Sequence, residues 1–220
     1  MYARYRIIIV VLSLLGFAST AFSGGQVPPK KANRSTTTFS EVFEIVDPGS
    51  LSSSLGPKID AATMLVRRND GAGMSFNTKR LLPDAPYTAW WVVFNKPRQC
   101  LVPCECGFPD VFDPVQAAAA KTSVFWATGR MTDGNGQATF SAQIGLNDLP
   151  SGDDQVVFGS GLLSPRAEIH LVTRAHGPAL GTDEQLEEQL TKFNGGCNPD
   201  CFDAQVSVHR SPTCKTVPYH

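Results

Sequence analysis

No run of lysine or arginine in this chain is longer than a pair, and its 19 basic residues are offset by 20 acidic ones. That excludes a nucleic-acid face or a polybasic membrane face, since both need a concentrated positive stripe. The chain also lacks a phosphate-cradling glycine loop, a dinucleotide fingerprint and an HExxH pair. Ser160 stands between two glycines in "FGSGL", but the Gly-x-Ser-x-Gly spacing of a nucleophile elbow is missing. Charged residues are scarce, at 18%. Beyond residue 23 no stretch reaches the roughly 20 apolar residues of a membrane-spanning helix. Glycine and proline, by contrast, number 19 and 16, a balance that suits a loop-rich β protein.

The first 23 residues have the three parts of a secretory signal peptide. Arg4 and Arg6 form the positive head, Ile7 to Phe17 the apolar stretch, and Ala21-Phe22-Ser23 a small-x-small cleavage site. Retention as a membrane anchor is the competing reading, and the apolar stretch is short for it. Residues 24–37 are polar and proline-bearing and read as a flexible linker, leaving residues 38–214 as one domain. Asn33-Arg34-Ser35 is a glycosylation sequon in a eukaryotic host. The expected location is therefore secreted or periplasmic, with no membrane span once the signal is removed.

All six cysteines follow the signal segment: Cys100, Cys104, Cys106, Cys197, Cys201 and Cys214. An even number in an exported chain points to disulfides that staple loops. Neither "CLVPCEC" nor "CNPDC" has a common zinc spacing. The pairing stays open at this level.

Strand signals dominate the body. Residues 62–94 and 123–158 share one order: a strand, an Asp-Gly-x-Gly turn, a second strand bearing Phe76 or Phe140, a Leu-Pro loop, and a third strand ending Val-Val-Phe. Two such stretches suggest duplicated three-strand meanders, with Asp70-Gly71 and Asp133-Gly134 as hairpin turns. Each turn offers too few carboxylates for a calcium loop. "YTAWWVVFN" (87–95) is apolar throughout and reads as a central strand, while 38–46 reads as an edge strand. Thr182 and Gln185 form a capping box for one helix, whose stripe of Leu186, Leu190 and Phe193 packs it onto the body.

"AEIHLVTRAHGP" (167–178) holds two of the four histidines. In a strand, Ile169, Leu171, Thr173 and Ala175 share one face, which we assign to the core. Glu168, His170, Val172, Arg174 and His176 share the other, which is polar and faces water or a groove. His170 and His176, six residues apart, would sit roughly 20 Å apart and cannot share a metal in extended chain. His209 lies on the polar face of the 204–210 strand together with Gln205 and Ser207. If the two strands are neighbours, His209 and Glu168 can join His170 or His176 in a copper or zinc site. The rival reading is a cross-strand polar ladder of Glu168, Arg174, Gln205 and Ser207 that needs no ligand. No set of catalytic residues emerges.

Taken together, "PYTAWWVVFNKPRQC", "GLLSPRAEIHLVTRAHGPA" and "GGCNPDCFDAQVSVH" resemble a family of exported, mostly bacterial β-sandwich proteins of unassigned function. The strands are also loosely similar to chordin-repeat-like and copper-zinc dismutase domains. The dismutase His-x-His pair is missing from this chain, so that activity is not implied. The fold expected is all-β: an antiparallel sandwich of about eight to ten strands, with one packed helix and disulfide-stapled loops. The function expected is non-enzymatic binding of a ligand or partner in the periplasm or at the cell surface. The alternative is a copper or zinc protein, or a metalloenzyme, using those histidines.

Overall fold

The computed structural model describes residues 34–46, 54–152 and 154–214. The signal-peptide reading and most of the linker reading fall outside them. Of the linker, Thr36 and Thr37 already belong to the first strand.

Among the described residues nine strands form one antiparallel sheet. They are β1 (Thr36–Val46), β2 (Ser54–Arg68), β3 (Gly71–Thr78), β4 (Pro86–Phe94), β5 (Thr122–Met131), β6 (Ala138–Gly145), β7 (Val156–Phe158), β8 (Glu168–Ala175) and β9 (Phe202–His209). Their order across the sheet is β6-β3-β2-β1-β9-β8-β4-β5-β7. The sheet curls until β5 touches β6. The result is a half-barrel, not the two stacked layers of a sandwich, because a sheet this long and twisted closes its apolar face upon itself. Phe76 and Phe140, placed alike in the two sequence stretches, face each other across β3 and β6 with ring centroids 6.4 Å apart.

The meander expectation holds only in part. β2 and β3 form a hairpin whose last pair is Arg68 with Gly71, so the turn is Asn69-Asp70 and Gly71 opens the next strand. The Asp133-Gly134-Asn135-Gly136 turn joins β5 to β6, which do not pair; β5 pairs with β4 and β7, and β6 with β3. The turn is a corner between diverging strands. Asp133 Oδ1 accepts from the backbone N–H groups of Asn135 and Gln137. Gly136, at φ +67°, passes so close to Leu81 that a Cβ would lie 2.0 Å from its carbonyl oxygen. Strand β1 is interior, not an edge: it pairs with β2 on one side and β9 on the other.

Both faces of the central strands are buried. Inside the curl lies the main core, with Leu65, Phe76, Trp91, Phe125, Phe140, Ile169 and Leu171. On the outer face of β4, β8 and β9 lies a second core of Trp90, Val92, Phe94, Val172 and Val206. All nine residues of β4 and all eight of β8 are buried. The outer core is roofed by residues 95–121, which contain a 3-10 turn at Pro97–Gln99 and helices α1 (Pro109–Phe112) and α2 (Pro114–Ala120). A third helix, α3 (Asp183–Thr191), starts at Thr182, whose Oγ1 accepts from the backbone N–H of Gln185. The single helix expected is therefore one of three among the described residues. Gln189, not the leucine stripe, is the fully buried residue of α3. Its side chain accepts from Leu180 N–H and donates to the carbonyls of His176 and Pro178.

All six cysteines are paired: Cys100 with Cys106, Cys104 with Cys214, and Cys197 with Cys201. The Cys104–Cys214 bond ties the end that follows β9 to the roof. Asp110, buried within the roof, accepts from Leu101 N–H (2.7 Å) and Gly107 N–H (2.9 Å). These staples let an irregular segment of this length keep one shape. No helix among the described residues is long and apolar enough to cross a membrane.

Candidate functional site: an apolar cavity beside a buried histidine strand

The expected wet face of β8 is buried. Glu168 and His176 are 0% exposed, and His170 and Arg174 are 7% and 8%. The roof, the segment after α3 and Arg210 cover them. The polar side chains instead find partners within the protein, as buried charge and amide groups must.

The neighbouring strand does not extend this face as expected. β8 and β9 do pair, but in a register that sets Ile169 opposite His209 and His170 opposite Val208. Paired residues share a face, so His209 lies inside the curl and His170 outside it. The polar side of β9 thus backs the apolar side of β8, because both faces of this seam are buried and neither pattern marks solvent.

Inside the curl, His209 Nδ1 lies 3.0 Å from Thr38 Oγ1, and its Nε2 lies 2.8 Å from Thr63 Oγ1. Thr63 also meets Ser207 Oγ at 2.5 Å. Burial, then the charge of Arg67, then His170, hold the His209 imidazole down to about 3. Arg67, itself buried, donates to the carbonyls of Ala167 (2.7 Å) and His209 (3.0 Å). Desolvation lowers its guanidinium to about 10, so it stays charged at neutral pH. Replacing Thr63 by valine is expected to cost about 1–2 kcal/mol, since both His209 Nε2 and Ser207 lose a buried partner. Urea unfolding at neutral pH measures this, and a variant as stable as the parent would contradict it.

Outside the curl, Glu168 Oε1 receives His170 Nε2 at 2.9 Å and Arg210 Nη1 at 2.7 Å. Glu168 Oε2 has no partner among the described residues. Arg174 donates to Asp203 Oδ1 (2.7 Å), to Phe193 O (2.8 Å) and to Asn194 Oδ1 (2.8 Å). Asp203 reaches this face through a bulge: Thr173 pairs with Gln205 but Arg174 pairs with Asp203, leaving Ala204 extra. In a regular strand Asp203, two residues from Gln205, would point inward with it; the bulge turns it outward. Burial raises the Asp203 carboxyl, and Arg174 only partly opposes it.

His176 lies past the end of β8. Its Nδ1 is 2.9 Å from Gly195 O and 3.2 Å from Cys201 Sγ, and its Nε2 is 3.0 Å from Thr88 Oγ1. Burial pulls its imidazole down to about 4; the Gly195 carbonyl opposes this and Arg174 reinforces it. The 195–201 loop comes this close because Gly177, at φ +78°, leaves room: a Cβ there would sit 1.7 Å from Asn198 O.

Of the four expected metal ligands, then, only Glu168 and His170 meet. His209 is on the opposite face, and His176 is held by Thr88 and Gly195. Two other groups of donors cluster: His176 with Cys197 and Cys201, and Cys100 and Cys106 with Asp110. In both, the two sulfurs are bonded to each other, and both Asp110 oxygens already accept from backbone N–H groups. The cross-strand ladder is present in altered form. Arg174 pairs with Asp203, whereas Gln205 Nε2 and Ser207 Oγ bond inside the curl, to Lys79 O and Thr63.

Sequence reasoning did not find the cavity. It has a volume of about 310 Å³ and lies on the outer core, between the sheet and its roof. Trp90, Val92, Val172 and Val206 form its floor, Phe108 and Phe193 stand in its walls, and His170 and Arg210 mark its polar end. Leu55, Phe112 and Val157, each about two-fifths exposed, give it an apolar rim. Phe193 is held edge-on to Trp90 (centroids 4.9 Å) and lies 4.0 Å from the Arg174 guanidinium carbon. The signal available in the sequence was the roof's own composition, with Phe108 and Phe112 just after its three cysteines. No protein-family model, curated protein or solved structure matches the chain.

Proposed function

We propose that this is an exported, non-enzymatic binding protein whose ligand is a small, mostly apolar molecule held in the cavity above Trp90. One observation carries the reading. A concave space of about 310 Å³, at the small end of the range for ligand pockets, is walled by aromatic side chains and opens through an apolar rim. Empty apolar space of this size is costly unless something fills it. The charges nearest it are already neutralised within the protein: Glu168 by Arg210, and Asp203 by Arg174. That favours a neutral occupant over an anion. Three disulfides suit an oxidising compartment, in keeping with export. A protein whose cavity, staples and buried pairs are preformed binds without rearranging, which preserves affinity.

The test uses the neutral fluorophore N-phenyl-1-naphthylamine as probe, titrated into the full protein. One site of micromolar affinity is expected. Val208, half-buried at the cavity wall, is the position for a blocking variant. Val208→Trp should weaken binding at least about tenfold, by filling the space, while the unfolding midpoint stays close to the parent's. No binding, or equal binding by the blocked variant, would refute the proposal.

A further inference from the structure

We infer that Cys197–Cys201 is a thiol-exchange site, with His176 as the hydrogen-bond donor to the departing sulfur. It shares only Trp90 with the cavity, through that residue's indole N–H, and does not depend on the ligand proposal.

The hydrogen-bond network assigns the proton on His176. Trp90 Nε1, which can only donate, lies 2.7 Å from Thr88 Oγ1. Thr88 is fully buried, so its hydroxyl proton has to go to its other neighbour, His176 Nε2, at 3.0 Å. His176 Nε2 therefore accepts, and Nδ1 carries the hydrogen. That N–H faces both Gly195 O and Cys201 Sγ. A bare Nδ1 lone pair, which a metal would need, would leave the Thr88 proton without an acceptor. The same cluster of donors is thus arranged for sulfur chemistry and against metal binding.

The three disulfides are not alike. Cys100 and Cys106 are each 4% exposed, and Cys104–Cys214 closes a separation of 110 residues. Cys197 and Cys201 are half-buried, four residues apart, and only this bond has an imidazole N–H against one sulfur among the described contacts. Cys197 Sγ lies towards the surface, beside Asn194 O, and Cys201 Sγ lies towards the buried ring. An incoming thiolate thus meets Cys197 first, and the leaving sulfur is the one beside the donor.

The reaction is exchange with a dithiol. One thiolate of the dithiol attacks Cys197 Sγ, forming a mixed disulfide as the Cys197–Cys201 bond breaks. Cys201 Sγ leaves as a thiolate, stabilised by the His176 Nδ1–H bond, and then takes a proton from water. The second thiolate of the dithiol attacks the sulfur joined to Cys197, displacing the Cys197 thiolate. The dithiol loses two electrons and ends as a disulfide; the protein gains them as two thiols. A hydrogen bond to the leaving thiolate speeds the first step, because a better leaving group departs faster.

The full protein is exposed to dithiothreitol under native conditions, and the free thiols are trapped by alkylation and located by mass spectrometry. Cys197–Cys201 is expected to open at least about tenfold faster than either other bond, the size of effect that one hydrogen bond to a charged group supplies. His176→Leu should slow its opening about tenfold, whereas His176→Asn, which keeps an N–H near the Nδ1 position, should stay within about threefold of the parent. Opening of all three bonds together, or earlier opening of another bond, would overturn the inference. So would parental speed in His176→Leu. If His176→Leu does not fold, the order of opening in the native protein decides alone.

Discussion

Acidification from pH 6.5 to about 4.5 should remove about 3–5 kcal/mol of folding stability, carried by His176 and His209. Both imidazoles are held below their ordinary 6.5 in the folded protein, to about 4 and about 3, chiefly by burial. Above 6.5 they are neutral in the folded and unfolded chains alike, and cost nothing. As the pH falls below that value, the unfolded chain takes up protons that the folded one refuses. Each histidine then costs about 1.4 kcal/mol per pH unit until its folded value is reached. The raised Asp203 carboxyl acts in the opposite sense, since the folded chain holds that proton more readily, and so trims the loss. Urea unfolding across this range measures the slope. His209→Gln, which removes one titrating group, should roughly halve it. Stability that is flat with pH would show that neither imidazole is confined as described.

Arg174→Leu is expected to destabilise the fold by about 3–5 kcal/mol, the usual cost of stranding a buried charge. The guanidinium has four acceptors around it: Asp203, Asn194, and the carbonyls of Phe193 and Cys201. Leucine can fill part of the space but satisfies none of them. Asp203, 8% exposed, would be left without its counter-charge. The double replacement Arg174→Leu with Asp203→Leu should recover at least half of the loss, because a buried pair replaced as a unit costs far less than one broken. Phe193 is fixed by this same arginine, so the single variant should also bind N-phenyl-1-naphthylamine more weakly. A loss under about 1 kcal/mol in the single variant would show that the pair is not desolvated in solution.

Strand identity was readable in the sequence because it follows from side-chain type and turn chemistry. β4, β8, β9 and the Thr182 cap lie where alternation and capping placed them. Facing was not readable. Glu168, His170 and Arg174 look like a solvent face to any rule that equates polar with wet. They are buried because a cysteine-stapled roof of irregular chain covers them, and no periodicity encodes a roof. The same holds for sheet order: Asp133-Gly134 is good hairpin chemistry, yet β5 and β6 separate because each has a better partner elsewhere. The histidine site failed on register. The offset that pairs Ile169 with His209 and His170 with Val208 puts the two rings on opposite faces, while the bulge at Ala204 decides only where Asp203 points.

The position of β9 has a consequence for how the molecule is made. It is the last strand among the described residues, yet it is inserted between β1 and β8, which do not pair with each other. Until residues 202–209 have been made, the strands can pair only as two separate half-sheets, β6-β3-β2-β1 and β8-β4-β5-β7. Among the described residues no strand pairing joins the two before β9 arrives. β9 therefore joins the two halves last, and a chain stopped before Phe202 would hold them unjoined.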